Sequence, residues 1–133
     1  MNKFELSSAF LVGHDAIDHE HEELVDILNN MVEDYISEDI PSCAKAWQVF
    51  CIKLEEHFTN EEKIMEDCGF IDDQHKSHHQ EILDHIKIIG ENCQTLADWH
   101  LCFFDMRHEI LTQILKYDLY FAQYLVSIDY KNS

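Results

Sequence analysis

The stretch that decides the fold is HFTNEEKIM, residues 57–65. His57 and Glu61 are four residues apart, so a helix places both side chains on one face, one turn apart. Apolar residues extend that face in both directions, at Trp47, Phe50, Leu54 and Ile64. This periodicity predicts a helix from about Ser42, its expected N-cap, to Cys68, with Gly69 as the stop.

Apolar periodicity predicts three further helices, over about residues 18–37, 72–92 and 98–128. Asp18 is the expected N-cap of the first. Glycine and proline are scarce, at 3 and 1 residues, which favours long helices over many short strands. Short connections between long helices predict an all-α, antiparallel up-down-up-down four-helix bundle, crossed by an N-terminal arm before Asp18. A chain of 133 residues is expected to form one domain, 1–133.

Every predicted helix carries potential metal ligands or polar residues on its inner stripe: His21, His57, Glu61, His75, His79, Gln113 and Asp118. A buried carboxylate without a partner costs several kcal/mol, so two carboxylates among four imidazoles need a shared partner. A metal supplies it, and imidazole with carboxylate suits iron, manganese or zinc. The HExxH motif of zinc proteases and the paired Glu-x-x-His motif of ferritin-like proteins are absent.

Charge, hydropathy and cysteine content exclude some binding partners and indicate the cellular compartment. The formal net charge of −18 argues against binding nucleic acid or an anionic membrane surface. No apolar run approaches the roughly 20 residues that span a bilayer, and no signal peptide is recognised. Five cysteines without CxxC spacing indicate free thiols in a reducing compartment. We therefore expect a cytoplasmic protein, and a monomer because no exposed apolar helix face is evident.

Three sets of residues together resemble the hemerythrin family, specifically its bacterial single-domain members. They are VG at 12–13 with IDHEHEEL at 17–24, the stretch HFTNEEKIM at 57–65, and His75-x-x-x-His79. The match extends over nearly the whole chain. The resemblance implies a non-heme centre of two iron ions, joined by an oxo or hydroxo bridge, that binds dioxygen reversibly.

Roles for the four histidines are implied by the same resemblance. His21 and His57 would bind the iron that takes up dioxygen, and His75 and His79 would bind the other iron.

The resemblance also implies that Glu61 and Asp118 bridge the two irons and that Ile110 lines the dioxygen pocket. The pocket must stay dry, and three aromatic side chains are candidates for its wall together with Ile110: Phe50, Phe58 and Phe121.

The fourth helix departs from the family pattern, His-Ile-x-x-x-Asp. Asp118 fits, but Gln113 replaces the histidine, and Glu109 stands where the family has a tryptophan. Gln113 can bind through its oxygen, or water can fill the position, or another histidine, His108 or His85, can replace it. An amide is a weaker ligand for iron than an imidazole. The remaining histidines are expected at the surface or behind the ligands: His14, His19, His78 and His100.

These expectations leave three functions open. The first is a dioxygen-binding protein for storage, delivery or sensing. The second, favoured by the change at Gln113, is a di-iron oxidase or peroxidase. The third is a signalling module whose metal site is impaired.

Overall fold

The computed structural model of the protein describes residues 10–131, and all its regular structure is helical. The elements are α1 (Asp15–Ile36), α2 (Ile40–Asp67), α3 (Asp73–Glu91), α4 (Leu96–Gln113), a π-helical turn (Ile114–Asp118) and α5 (Leu119–Ser127). The last three follow one another without a break and form the fourth helix of the bundle. Because α1 and α3 each contact both α2 and α4, the helices form a ring. The predicted four-helix bundle is confirmed.

The start of α1 differs from the prediction, since Asp18 is not its N-cap. The N-cap is His14, and Asp18 lies inside the first turn. Its carboxylate instead accepts hydrogen bonds from the backbone N–H groups of Val12 at 2.7 Å and Gly13 at 3.2 Å. The Asp18 carboxylate therefore holds the preceding segment against the first turn of α1, and it does not cap the helix.

The start of α2 also differs, since its N-cap is Asp39 and not Ser42. An Asp39 carboxylate oxygen accepts from the Ser42 backbone N–H at 3.1 Å, and the Ser42 hydroxyl donates to the other oxygen at 2.8 Å. Pro41 is accommodated in the first turn, where a backbone N–H is not required. At the other end, Gly69 follows the C-cap with a φ of +80°, so the predicted stop is confirmed.

Two clusters of buried apolar side chains fill the bundle. The main cluster includes Leu28, Phe50, Ile86, Phe103 and Ile110. The second consists of Val12, Ile17, Met65, Phe121 and Leu125. Of the residues on the predicted inner face of α2, Phe50 and Leu54 are fully buried, while Trp47 and Ile64 are partly buried.

The N-terminal arm is described only from Phe10 onward, and residues 1–9 lie outside the described residues. Phe10 packs against the main cluster, whereas Val12 is part of the second. This part of the arm thus contacts both clusters, as expected of a segment that crosses the bundle.

Within residues 10–131, no helix is both long and apolar enough to cross a membrane. All five cysteines are free thiols, of which Cys43, Cys51 and Cys102 are buried.

Candidate metal centre

The seven polar residues predicted on the inner stripes meet in one buried layer of the bundle. None is more than 3% exposed. In α1, α2 and the fourth helix the layer falls where the main apolar cluster gives way to the second. In α2, for example, Phe58 belongs to the main cluster, Glu61 to the polar layer and Met65 to the second cluster. A polar layer enclosed on both sides by apolar side chains has no water to solvate its charges, so its members must satisfy one another or a shared ligand.

The layer contains two groups of potential metal ligands that share both carboxylates. The first group is His21, His57, Glu61 and Asp118; the second is His75, His79, Glu61 and Asp118. In each group, one donor atom per residue lies within 4.8 Å of the others. The shared carboxylates place the two groups side by side.

Glu61, in the C-terminal third of α2, directs one carboxylate oxygen to each pair of histidines. Its Oε1 lies 2.9 Å from Nε2 of His75 and 3.2 Å from Nε2 of His79. Its Oε2 lies 3.1 Å from Nε2 of His57 and 3.7 Å from Nε2 of His21. A single carboxylate thus faces both groups, which is the arrangement of a bridging ligand.

Asp118, the last residue of the π-helical turn, divides its oxygens in the same way. Its Oδ1 lies 3.0 Å from Nε2 of His75, and its Oδ2 lies 3.0 Å from Nε2 of His21. An α-helix turns about 100° per residue, so five residues after Gln113 a side chain would point about 140° away. The wider π-helical turn reduces that difference, and both side chains lie in the layer.

Gln113 lies with the second group. Its Nε2 is 2.8 Å from Nε2 of His79, 3.0 Å from Nε2 of His75 and 2.8 Å from Oδ1 of Asp118. Its Oε1 is buried without a hydrogen-bond partner. The two ends of an amide have nearly the same shape, so a half-turn of the side chain places the oxygen among these three groups instead.

The proposed replacements for Gln113 do not reach the layer, since His85 and His108 are exposed. The other histidines contact partners outside it. His14 stacks on Tyr130, His78 on Tyr117 and His100 on Tyr35, while His19 lies 3.1 Å from Glu23.

Outside the layer, two carboxylates fix the histidines, and the sequence reasoning did not identify either role. Oε1 of Glu20 is 2.9 Å from Nδ1 of His57, on the side of the ring away from Glu61. Asp72 caps α3 by accepting from the backbone N–H groups of Gln74 and His75, which fixes the first turn of the helix that carries His75. The sequence signal for Asp72 was its place before an apolar-periodic run; Glu20 had none beyond its position beside His21.

Aromatic rings close part of the layer. Phe58 stacks on His79 with ring centres 3.9 Å apart and planes 6° apart, and its ring centre lies 5.7 Å from that of His57. Of the other predicted wall residues, Phe50 and Ile110 are in the main apolar cluster and Phe121 in the second. Phe58 is therefore the aromatic wall residue whose ring contacts the histidines directly.

The carboxylates and imidazoles strongly shift one another's proton affinities. Burial raises the pKa of Glu61, but the charge of His57 and the hydrogen bonds with the surrounding imidazoles outweigh it and hold the pKa well below its usual range. Burial lowers the pKa of His57, yet the nearby Glu61 charge and the hydrogen bond with Glu20 raise it to about 10. Hydrogen bonds with Asp118 and Glu61 likewise overcome burial and raise the pKa of His75 to about 9. Protons therefore compete with any cation for these atoms.

Several buried atoms that face this layer lie close to one another but make no hydrogen bond of suitable geometry. These atoms test whether the residues suit a metal. They include Nε2 of His21 and His57, Oε2 of Glu61 and Oδ2 of Asp118. Buried polar atoms in folded proteins are nearly always satisfied, so the exceptions call for a missing partner. Imidazole nitrogen and carboxylate oxygen are donors to divalent transition metals, and each group has the atoms to hold one ion.

One relative bears on this arrangement. Myohemerythrin from Theromyzon tessulatum is 24% identical over 102 residues, which cover 72% of this chain and 80% of that protein. The chain is similar to a hemerythrin. No family model matches it. The similarity and the buried His/Glu/Asp cluster together support a hemerythrin-like family, while membership of the bacterial branch stays a prediction.

Proposed function

We propose that the protein is a non-heme di-iron protein that binds dioxygen reversibly. The observation that carries the proposal is the division of two buried carboxylates between two pairs of histidines. Glu61 and Asp118 each direct one oxygen to either pair, so the layer is built for two ions and not for one. The similarity to a myohemerythrin favours iron and dioxygen over the other ions that this donor set accepts.

In this proposal His21 and His57 would hold one iron, His75 and His79 would hold the other, and both would share Glu61 and Asp118. Two iron ions, when bound, would supply the two electrons that reversible dioxygen binding requires. The amide of Gln113 contacts the His75–His79 group and adds to it a neutral donor that is weaker than an imidazole.

The side chains around the layer limit the access of water to it. Ile110, one turn before Gln113, is 2% exposed, and Phe58 covers the ring of His79. Exclusion of water protects a reactive oxygen species from protonation and loss, so an apolar wall favours release of dioxygen unchanged.

A second candidate, a di-iron oxidase or peroxidase, is favoured by Gln113 itself. With an amide in place of the expected histidine, each group has two imidazoles and the two shared carboxylates. Exogenous ligands then have more than one position to occupy, which suits turnover better than reversible binding.

The test is iron content per chain, combined with absorption spectra of the reduced protein before and after exposure to air. Two irons and a charge-transfer band that appears with oxygen and disappears on its removal would support the dioxygen-binding function. Two irons with irreversible oxidation and release of peroxide would support the enzyme. One iron or none would leave the signalling module with an impaired site as the remaining function.

A further inference from the structure

Glu20 on α1 and His57 on α2 form a hydrogen bond outside the polar layer. Nδ1 of His57 is 2.9 Å from Oε1 of Glu20, while Nε2 of the same ring is 3.1 Å from Oε2 of Glu61. The ring therefore lies between two carboxylates, one inside the layer and one outside it. With the proton on Nδ1, where Glu20 accepts it, the lone pair of Nε2 points at the layer.

Glu20 is itself held in place. Its second oxygen, Oε2, accepts a hydrogen bond of 2.8 Å from Nδ2 of Asn60, which lies three residues after His57 on α2. The Glu20 side chain is 23% exposed, so water screens this arrangement only in part. Asn60, Glu20 and His57 thus form a chain of contacts that links α1 to α2 and ends at a candidate ligand.

The other three histidines of the layer lack this support. Among residues 10–131, Nδ1 of His21, His75 and His79 has no hydrogen-bond partner. The nearest comparable group is Glu62, whose Oε2 lies 3.9 Å from Nδ1 of His79, beyond hydrogen-bond distance. The group that contains His75 and His79 also has the Gln113 amide where an imidazole was expected.

We propose that Glu20 is a positioning residue that orients His57 and makes the His21–His57 group bind its metal more tightly than the His75–His79 group. A carboxylate behind a ligating imidazole fixes the tautomer and the ring orientation and makes the ligand more basic. The second group has neither this contact nor a third imidazole, so it fills after the first. The inference rests on the proposed function to the extent that both groups bind metal.

Titration of the metal-free chain with Co²⁺, followed by calorimetry and by the visible absorption of the bound ion, tests the order. The wild-type protein is expected to show two steps of unequal affinity. Glu20→Ala should weaken the tighter step about 10- to 100-fold and leave the weaker step within about twofold. Glu20→Gln keeps an acceptor at the same place and should restore part of the loss.

Two further variants make the result specific. Glu22→Gln removes the same charge from an exposed neighbour on α1 and should leave both steps unchanged. His79→Ala assigns the steps, because the tighter step should survive in this variant. Far-UV circular dichroism of every variant reports whether the bundle remains folded.

The possible outcomes separate this inference from the proposed function. Two Co²⁺ per chain with no effect of Glu20→Ala, or with equal weakening of both steps, would overturn the role of Glu20 alone. One Co²⁺ per chain that Glu20→Ala weakens would support Glu20 and contradict the two-metal site. No bound Co²⁺ would overturn both.

Discussion

Gln113 and Asp118 are five residues apart, and their side chains form a hydrogen bond of 2.8 Å within the polar layer. The contact exists because a π-helical turn, Ile114–Asp118, interrupts the fourth helix between them. Such turns are rare and occur mostly at functional sites. The departure from α-helical geometry therefore occurs between two residues, five positions apart, whose side chains contact each other in the layer.

Gln113→His tests whether this position belongs to the metal site. An imidazole is a better donor to iron than an amide, so the second group should bind roughly tenfold more tightly or better. Oxidation of the reduced, iron-loaded protein in air should also become slower. Iron affinity by competition with a chelator and the rate of spectral change after mixing with air measure the two effects.

The matched control for that substitution is Gln123→His, which introduces the same side chain at an exposed position on α5. It should change neither affinity nor oxidation rate. If Gln113→His behaves like the control, then the amide of Gln113 does not act at the metal and only packs within the layer.

Glu61→Ala should abolish two-metal loading. Glu61 contacts both pairs of histidines, so its removal takes a donor from each group at once and leaves the imidazoles to repel one another when protonated. Metal analysis after iron loading and removal of excess is expected to give one iron or fewer per chain. Glu56→Ala, an exposed carboxylate on the same helix, should retain the wild-type stoichiometry; equal iron content in both variants would contradict the bridging role.

Much of this arrangement was accessible from sequence, for identifiable reasons. The stripes of α1, α2 and α3 follow the 3.6-residue period, so His21, His57, Glu61, His75 and His79 could be placed on inner faces by counting. The 3.6-residue period does not explain the position of Asp118, because the π-helical turn changes the period locally. Nothing in the sequence of that turn, ILKYD at 114–118, predicts it. Contacts between helices, such as that of Glu20 with His57, depend on rotation and depth of packing, which period alone does not fix.

The helix N-caps show a second limit of prediction from sequence. Asp39, Ser42 and Asp18 are all residues that cap helices well, and the sequence offers two acceptors within three residues at the start of α2. Which one caps depends on where the preceding connection leaves the backbone, and here it is Asp39. The prediction was therefore correct about the helix and wrong about its first residue.

Gly90→Ala should destabilise the bundle by about 1–3 kcal/mol, the range for overpacking of a tight core. Gly90 on α3 is buried beneath the indole ring of Trp47 on α2, and a methyl group added there would overlap Cε2 and Nε1 of that ring. The ring cannot simply move away, because its Nε1 donates a hydrogen bond of 3.1 Å to the backbone oxygen of Ile86. Urea unfolding of the metal-free protein measures the loss.

A double-mutant cycle assigns that loss to the clash. In a Trp47→Ala background the added methyl has space, so the cost of Gly90→Ala should fall, with a coupling of roughly 0.5–3 kcal/mol between the two substitutions. Additive costs would show that Gly90 is needed for a reason other than the indole ring.

Asp98→Asn should lower stability near neutral pH and have little effect in acid. The Asp98 carboxylate accepts hydrogen bonds from the backbone N–H groups of Gln94 at 2.9 Å and Thr95 at 3.0 Å, while its own N–H donates to the Thr95 hydroxyl. The hydrogen bonds from Gln94 and then those from Thr95 lower the pKa of the carboxyl below 3.8.

The direction of the pH effect follows from this shift. A folded-state pKa below the unfolded value means that the ionised carboxylate stabilises the fold above about pH 4, and that this contribution is lost as the pH falls through the folded pKa. The difference in urea midpoint between wild type and Asp98→Asn should therefore be full at pH 6 and shrink toward pH 3. Metal-free protein is used so that metal release does not add to the change.

Asp105→Asn, an exposed residue on the same helix, should show no such pH-dependent difference. A constant difference for Asp98→Asn across the range would mean that the charge of Asp98 is not what stabilises the start of α4.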